Sequence, residues 1–198
     1  MENFCDKYLH TVLELLSDCD DIICREGGNE HARYAVIFCR GLNERNYIAE
    51  TVLRPLTRNV LSEFNGSFSS ILECHYLTEA DTPEKSASSI AKGDFLIILE
   101  NKNGFFKTLS NAQYSPSRGI TEPGSDVTLR GPKAGFVENA EINIALLRRI
   151  IRTPDLKFRF FTLGDISQTN VILTYVEGRA SKRFVEELSN RLKKLKAS

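Results

Sequence analysis

The chain has 198 residues, 41% of them hydrophobic and 26% charged, which is the make-up of a folded protein with a core and not of a disordered segment. Lys plus Arg equals Asp plus Glu at 26 each, so the net charge is zero and no global basic footprint recruits nucleic acid. No apolar run approaches the ~20 residues of a membrane span, and the acidic N-terminus lacks a signal-peptide core, so this fragment is expected to be soluble.

In chain order, Phe4, Leu9, Val12, Leu13 and Leu16 recur at helical spacing and predict an opening amphipathic helix, ended by Asp18 and Asp20-Asp21. Ile22-Ile23-Cys24 and Tyr34 to Cys39 flank Gly27-Gly28-Asn29 and read as a hairpin. Asn43 to Arg54 is helical in pattern, Pro55 is expected to interrupt it, and a second short helix would carry Leu56, Val60, Leu61 and Phe64. Ile71 to Tyr76 is strand-like. Thr82-Pro83-Glu84 opens a helix through Lys92, with Pro83 in the first turn where its missing N–H costs nothing. Asp94 to Leu99 is the clearest strand, turned by Asn103-Gly104 into Phe105 to Leu109.

Between Ser115 and Gly135 the chain holds three prolines and four glycines, which predicts a linker over 116–135 between an N-terminal α/β subdomain (1–115) and a C-terminal α-β-β-α subdomain (136–198). Beyond it the pattern predicts a helix from Phe136 to Arg152, strands at Lys157–Leu163 and Asn170–Tyr175, and a last helix from Ser181 to Leu195. The segment starting at Tyr34 lies without gaps on the one starting at Val171, which places Gly41 on Gly178, Tyr47 on Phe184 and Arg54 on Arg191. Internal duplication and the common strand–glycine–helix connection both account for that match. Either way the fold class is α/β: two small α/β subdomains, each with a β-β-α unit, joined by the Pro/Gly-rich linker.

The search for chemistry is negative. His10, His31 and His75 share no spacing, and no phosphate-loop, zinc-protease or nucleophile-elbow motif occurs. Cys5, Cys19, Cys24, Cys39 and Cys74 are odd in number and without CxxC spacing, so they read as reduced thiols of a cytosolic compartment. Gly131-Pro132-Lys133-Ala134-Gly135 precedes a helix, but Pro132 removes a donor and Glu138 and Glu141 already occupy the positive end of the dipole. Glu122, Asp126 and Glu138 read as solvated loop carboxylates. No catalytic residue, metal ligand or cofactor is therefore assigned. The basic tail Arg191, Lys193, Lys194 and Lys196 alternates with Leu188, Leu192 and Leu195, as a solvated face opposite a core stripe does; anionic headgroups would attract the same charges at ~1 kcal/mol each.

On the helix after the linker, Val137, Ala140, Ile144, Leu147 and Ile151 form one apolar stripe, and Ile142, Leu146 and Ile150 a second. Glu138, Glu141, Arg148, Arg149 and Arg152 share a polar sector. Two stripes predict two packed partners and make this helix a coupler between lobes or subunits.

The stretch Thr121 to Lys157 resembles the signature region of the A subunits of spore germinant receptors, the GerA family. The matching positions are Arg118, Glu122-Pro123, Asp126, Arg130-Gly131-Pro132, Gly135-Phe136, Glu138, Asn143 and Arg148-Arg149. The likeness continues through Gly164, Ser167 and Thr169 to Arg191-Leu192, and thins in the first half to Gly41-Leu42 and Pro55-Leu56. Asp126 stands where glutamate is usual, Val137 for threonine and Gln168 for lysine. The resemblance implies the N-terminal domain of an inner-spore-membrane protein, on the cytoplasmic (spore-core) face, with membrane spans outside this chain. It implies B and C partner subunits and further copies of the A subunit, no nucleic acid, and a complex that senses small nutrients. The function expected is non-catalytic coupling of nutrient sensing to germination; the alternative is a two-lobed domain that clamps a nutrient at the hinge. The interaction residues expected are the matching Arg118, Glu122, Pro123, Arg130, Gly131, Pro132, Gly135, Phe136, Glu138, Asn143, Arg148 and Arg149, with Ile142, Leu146 and Ile150 of the second stripe.

Overall fold

The computed structural model describes residues 4–58, 63–74, 76–111 and 135–195. The chain opens with helix α1 (Phe4–Leu15), which stops before Asp18, a residue in the left-handed region at φ 57°. Strands β1 (Ile22–Gly28) and β2 (Ala32–Cys39) form the first hairpin, with Cys24 opposite Ile37.

A helical stretch follows without a break: α2 (Arg45–Ile48), a π-helical turn (Ala49–Leu53) and α3 (Arg54–Arg58). The interruption expected at Pro55 does not occur. Proline lacks the N–H for an α-helical bond and its ring crowds the carbonyl four residues back, and the wider π turn before it relieves both. Leu56 is fully buried, Phe64 is buried outside any helix, and Val60 and Leu61 lie outside the described residues.

The strand expected at 71–76 is displaced to β3 (Leu77–Glu79), whose pairing starts at Leu77 opposite Ser110. Leu72 is instead buried as part of a loop in the core. Just before β3, the Tyr76 carbonyl accepts from the Ser110 hydroxyl at 2.5 Å. Helix α4 (Pro83–Lys92) has Thr82 as its N-cap, accepting from Lys85 N at 3.4 Å, and ends on Gly93 at φ 110°. Strands β4 (Asp94–Asn101) and β5 (Gly104–Asn111) make the second hairpin.

The first five strands form one antiparallel sheet in the order β1-β2-β4-β5-β3. Successive side chains of a strand point to opposite faces, so the continuous apolar runs of β2 and β4 fill two cores. Val36, Phe38, Phe95, Ile97 and Leu99 meet Ile48, Val52 and Leu56 of the α2–α3 stretch. Ala35, Ile37, Leu96 and Ile98 meet Leu9 and Val12 of α1, Leu16 just after it and Ile90 of α4.

Helix α5 (Ala140–Ile150), strands β6 (Leu156–Leu163) and β7 (Thr169–Val176), and helix α6 (Lys182–Lys194) follow. The helix begins later than Phe136 because Asn143 holds Val137 in place, accepting from its N–H at 2.8 Å and donating to its carbonyl at 2.7 Å. Asn139 is the N-cap, accepting from Glu141 N and Ile142 N. The two-stranded sheet has its own core, in which Leu147 and Ile151 join Ile144, Leu156 and Phe158. Of the expected linker 116–135, only Gly135 is among the described residues.

Candidate functional site

The site is the seam where α5 and the β6–β7 sheet meet the first half of the chain. The segment between α1 and β1 runs along β6: Asp20 N donates to the Phe158 carbonyl at 2.8 Å, Phe158 N donates to the Asp18 carbonyl at 3.0 Å, and Cys19 bridges Phe158 in parallel register. Asp21 is thereby turned inward. Its carboxylate receives Arg148 in a two-pronged contact, Nε to Oδ2 and Nη2 to Oδ1, both at 2.8 Å. Asp21 and Arg148 are each 0% exposed.

The pair is closed on every side that its hydrogen bonding requires. Arg148 Nη1 donates to the Thr153 carbonyl at 3.1 Å, the guanidinium lies 4.9 Å from the Phe158 ring centroid, and Cys39 Sγ reaches Asp21 Oδ2 at 3.3 Å. Loss of water works against the Arg148 charge, but the hydrogen bonds and opposite charge of Asp21 outweigh it and raise its pKa. Burial pushes the Cys19 and Cys39 thiols up and Cys24 to about 11, so these thiols are poor nucleophiles at neutral pH.

Two further nodes flank the buried pair. On one side Arg40 Nε and Arg45 Nη2 both donate to Glu141 Oε1, at 2.7 and 2.8 Å, which ties the β2–α2 turn to the first turn of α5. Gly41 lies beneath this contact at φ 87°; a Cβ there would stand 2.9 Å from the Glu141 carbonyl oxygen and 3.4 Å from Ala145 Cβ. On the other side Arg159 Nη2 meets Asp18 Oδ2 at 2.8 Å and Glu186 Oε1 at 2.9 Å, while Tyr175 Oη donates to Asp18 at 3.2 Å.

The Arg159 bond to Asp18 holds that carboxyl below the ordinary carboxylate range. A depressed pKa contributes stability above the unfolded value of about 3.9, and that stability is lost as pH falls through the folded value. Urea midpoints of the protein and of Asp18→Asn are therefore expected to differ most at neutral pH and to converge below about pH 3.9. A difference that stays constant as the pH falls well below about 3.9 would remove Asp18 as the titrating group.

A cleft of ≈510 Å³ opens beside the first flanking node, lined by Arg40, Glu141, Ile144, Phe160, Asn170 and Ile172 among others. The Arg40 guanidinium lies 6.0 Å from the Phe160 ring centroid at its wall. Among the described residues, no group of three metal-ligating side chains converges here or elsewhere.

The expected interaction residues fall in several places. Arg148 does not lie in a solvated polar sector with Glu138, Glu141, Arg149 and Arg152; it is buried, because Asp21 offers a carboxylate that a helical wheel cannot show. Ile142 and Leu146 are half-buried, while Ile150 is 66% exposed, so the face that meets the first half is that of Glu141, Ala145 and Arg148. Gly135, Phe136 and Glu138 lie on the approach to α5, with Phe136 and Glu138 exposed, and Asn143 is the residue that pins Val137. Arg149 is half-buried. Arg118, Glu122, Pro123, Arg130, Gly131 and Pro132 lie outside the described residues. Sequence reasoning missed Asp21, Arg40, Arg45 and Arg159. Asp20-Asp21 reads as a helix end, and only the odd doubling of acids beside an apolar run hints at a buried one.

The family model described as Bacillus/Clostridium GerA spore germination protein matches residues 10–198. Spore germination protein KA of Bacillus subtilis (strain 168) is 30% identical over 182 residues, 88% of this chain and 33% of that protein. A protein of the same organism named uncharacterized membrane protein YfkQ is 26% identical over 194 residues, 95% of this chain and 37% of that one. The chain thus spans about a third of the length of these relatives. The crystal structure of the N-terminal domain of the A subunit of the Bacillus megaterium spore germinant receptor GerK3 shares its fold. The TM-score is 0.64 and the identity 24%, over 95% of this chain and 70% of that one.

Proposed function

Because this chain belongs to the Bacillus/Clostridium GerA spore germination protein family, we propose that it is a non-catalytic coupling module of a membrane-bound spore germinant receptor. It works on the cytoplasmic, spore-core face of the inner spore membrane and passes conformational change between B and C partner subunits or further copies of the A subunit. The observation that carries this reading is the buried Asp21–Arg148 pair, which fastens α5 to the first half of the chain while Ile144 and Leu147 fasten it to the second. An element held rigidly from two sides moves both or neither, which is what transmission between lobes requires. Among the described residues no helix is long and apolar enough to cross a membrane.

A second reading rests on the cleft beside Arg40 and Phe160, which has the size of a small-ligand site. There the lobes clamp a small nutrient instead of relaying a signal. One set of experiments separates the two. Glu141 is half-exposed, so Glu141→Gln should fold normally; in spores carrying the full receptor it is expected to shift the nutrient concentration for half-maximal germination at unchanged receptor level. Titration of the isolated chain with amino acids and sugars should leave the chemical shifts of Arg40, Phe160 and Asn170 unmoved. Saturable shifts at those residues establish the clamp, and an unaltered germination response in Glu141→Gln spores removes the coupling role.

A further inference from the structure

Helix α6 carries a face that its own sheet leaves uncovered. Val185 and Ser189 are its buried residues, and Ser189 Oγ accepts from Arg159 Nη1 of β6 at 3.1 Å. At ~100° per residue, Phe184, Leu188 and Leu195 form a neighbouring stripe. Phe184 is 65% exposed, Leu195 is 55% exposed and Leu188 is half-buried, so the stripe is neither core nor solvated polar face. Arg191 and Lys194, both exposed, lie along its open flank.

The charge of the helix is one-sided. Its residues include Lys182, Arg183, Arg191, Lys193 and Lys194 against Glu186 and Glu187, and Glu186 is already held by Arg159 at 2.9 Å. Protein–protein interface cores are depleted in lysine. An exposed aromatic and leucine stripe rimmed by lysine and arginine is instead the composition of a helix that lies in the headgroup layer of an anionic bilayer. We propose that α6 docks on an anionic lipid surface, with Phe184, Leu188 and Leu195 at the headgroup–acyl boundary and Arg191 and Lys194 on lipid phosphates. This goes beyond the coupling reading and does not depend on it, since none of the residues proposed to meet lipid belongs to the seam.

The test is co-sedimentation of the whole chain with vesicles of phosphatidylcholine alone and of phosphatidylcholine mixed with phosphatidylglycerol. Binding is expected to the mixed vesicles, to weaken with added salt, and to be slight on the neutral ones. Reversing both Arg191→Glu and Lys194→Glu should lower partitioning by at least about 25-fold, from a cation's worth of about 5-fold each. Phe184→Ser should lower it by about 10-fold. All three side chains are exposed, so the variants should keep the circular dichroism and unfolding midpoint of the parent. Failure of the mixed vesicles to bind, equal binding to neutral vesicles, or variants that bind like the parent would each overturn the proposal; a protein partner for α6 would then be the remaining reading of the stripe.

Discussion

Replacing Arg148 with methionine is expected to destabilise the protein by about 3–5 kcal/mol, because it strands a buried carboxylate. Asp21 is 0% exposed and takes two of its hydrogen bonds from that guanidinium, leaving only the weak thiol of Cys39 on the same oxygen. Asp21→Asn should cost a comparable amount from the other side, since an amide cannot neutralise the guanidinium. A pair at the surface, such as Arg33–Glu100, is expected to be worth only ~0–1 kcal/mol by contrast. The double replacement Asp21→Leu with Arg148→Met should recover much of the loss, because desolvating two charges cancels a large part of their attraction. Urea unfolding of Arg148→Met, Asp21→Leu and the double variant gives the coupling directly. Losses below about 1 kcal/mol for Arg148→Met would mean that water replaces the guanidinium, and that the seam is looser than its burial states.

Gly41→Ala is expected to be the most damaging glycine replacement of the seam, at about 2–5 kcal/mol. Its φ of 87° costs an L-residue ~1–2 kcal/mol, and the added Cβ would press on a backbone carbonyl of α5 at 2.9 Å, an overpacking worth about 1–3 kcal/mol. The turn has little freedom to yield, because Asn43 closes it, accepting from Cys39 N at 3.0 Å and donating to the Gly93 carbonyl at 2.7 Å. Gly178 is the internal control. It occupies the matching place in the second β-β-α unit at φ 76°, and a Cβ there meets nothing within 4 Å. Gly178→Ala should therefore show the conformational cost alone. At roughly 2–4 °C per kcal/mol for a chain of this size, the two melting temperatures should separate by several degrees. Equal shifts would mean that α5 moves aside freely and that Gly41 is only a turn residue.

Much of the architecture was legible because it depends on neighbours in the chain. Continuous apolar runs at 34–39 and 94–99, each followed by turn chemistry, gave the two central strands. The matched glycines 41 and 178 both proved to be left-handed, as a strand-to-helix connection of that length demands. The ordered matches after Arg118 were enough to indicate the family without any fold. What depended on distant partners was not legible. Asp21 and Arg148 are 127 positions apart, and each alone looks like an ordinary charge near a helix end. A helical wheel sorts residues by polarity, so it put Arg148 toward water; the fold buried it. The start of α5 was set by Asn143 reaching back to Val137, and the passage through Pro55 by a π turn. A side chain's own chemistry decides what it can pair with. Which partner is within reach, and whether water is excluded when they meet, is decided only when the two sheets are brought together.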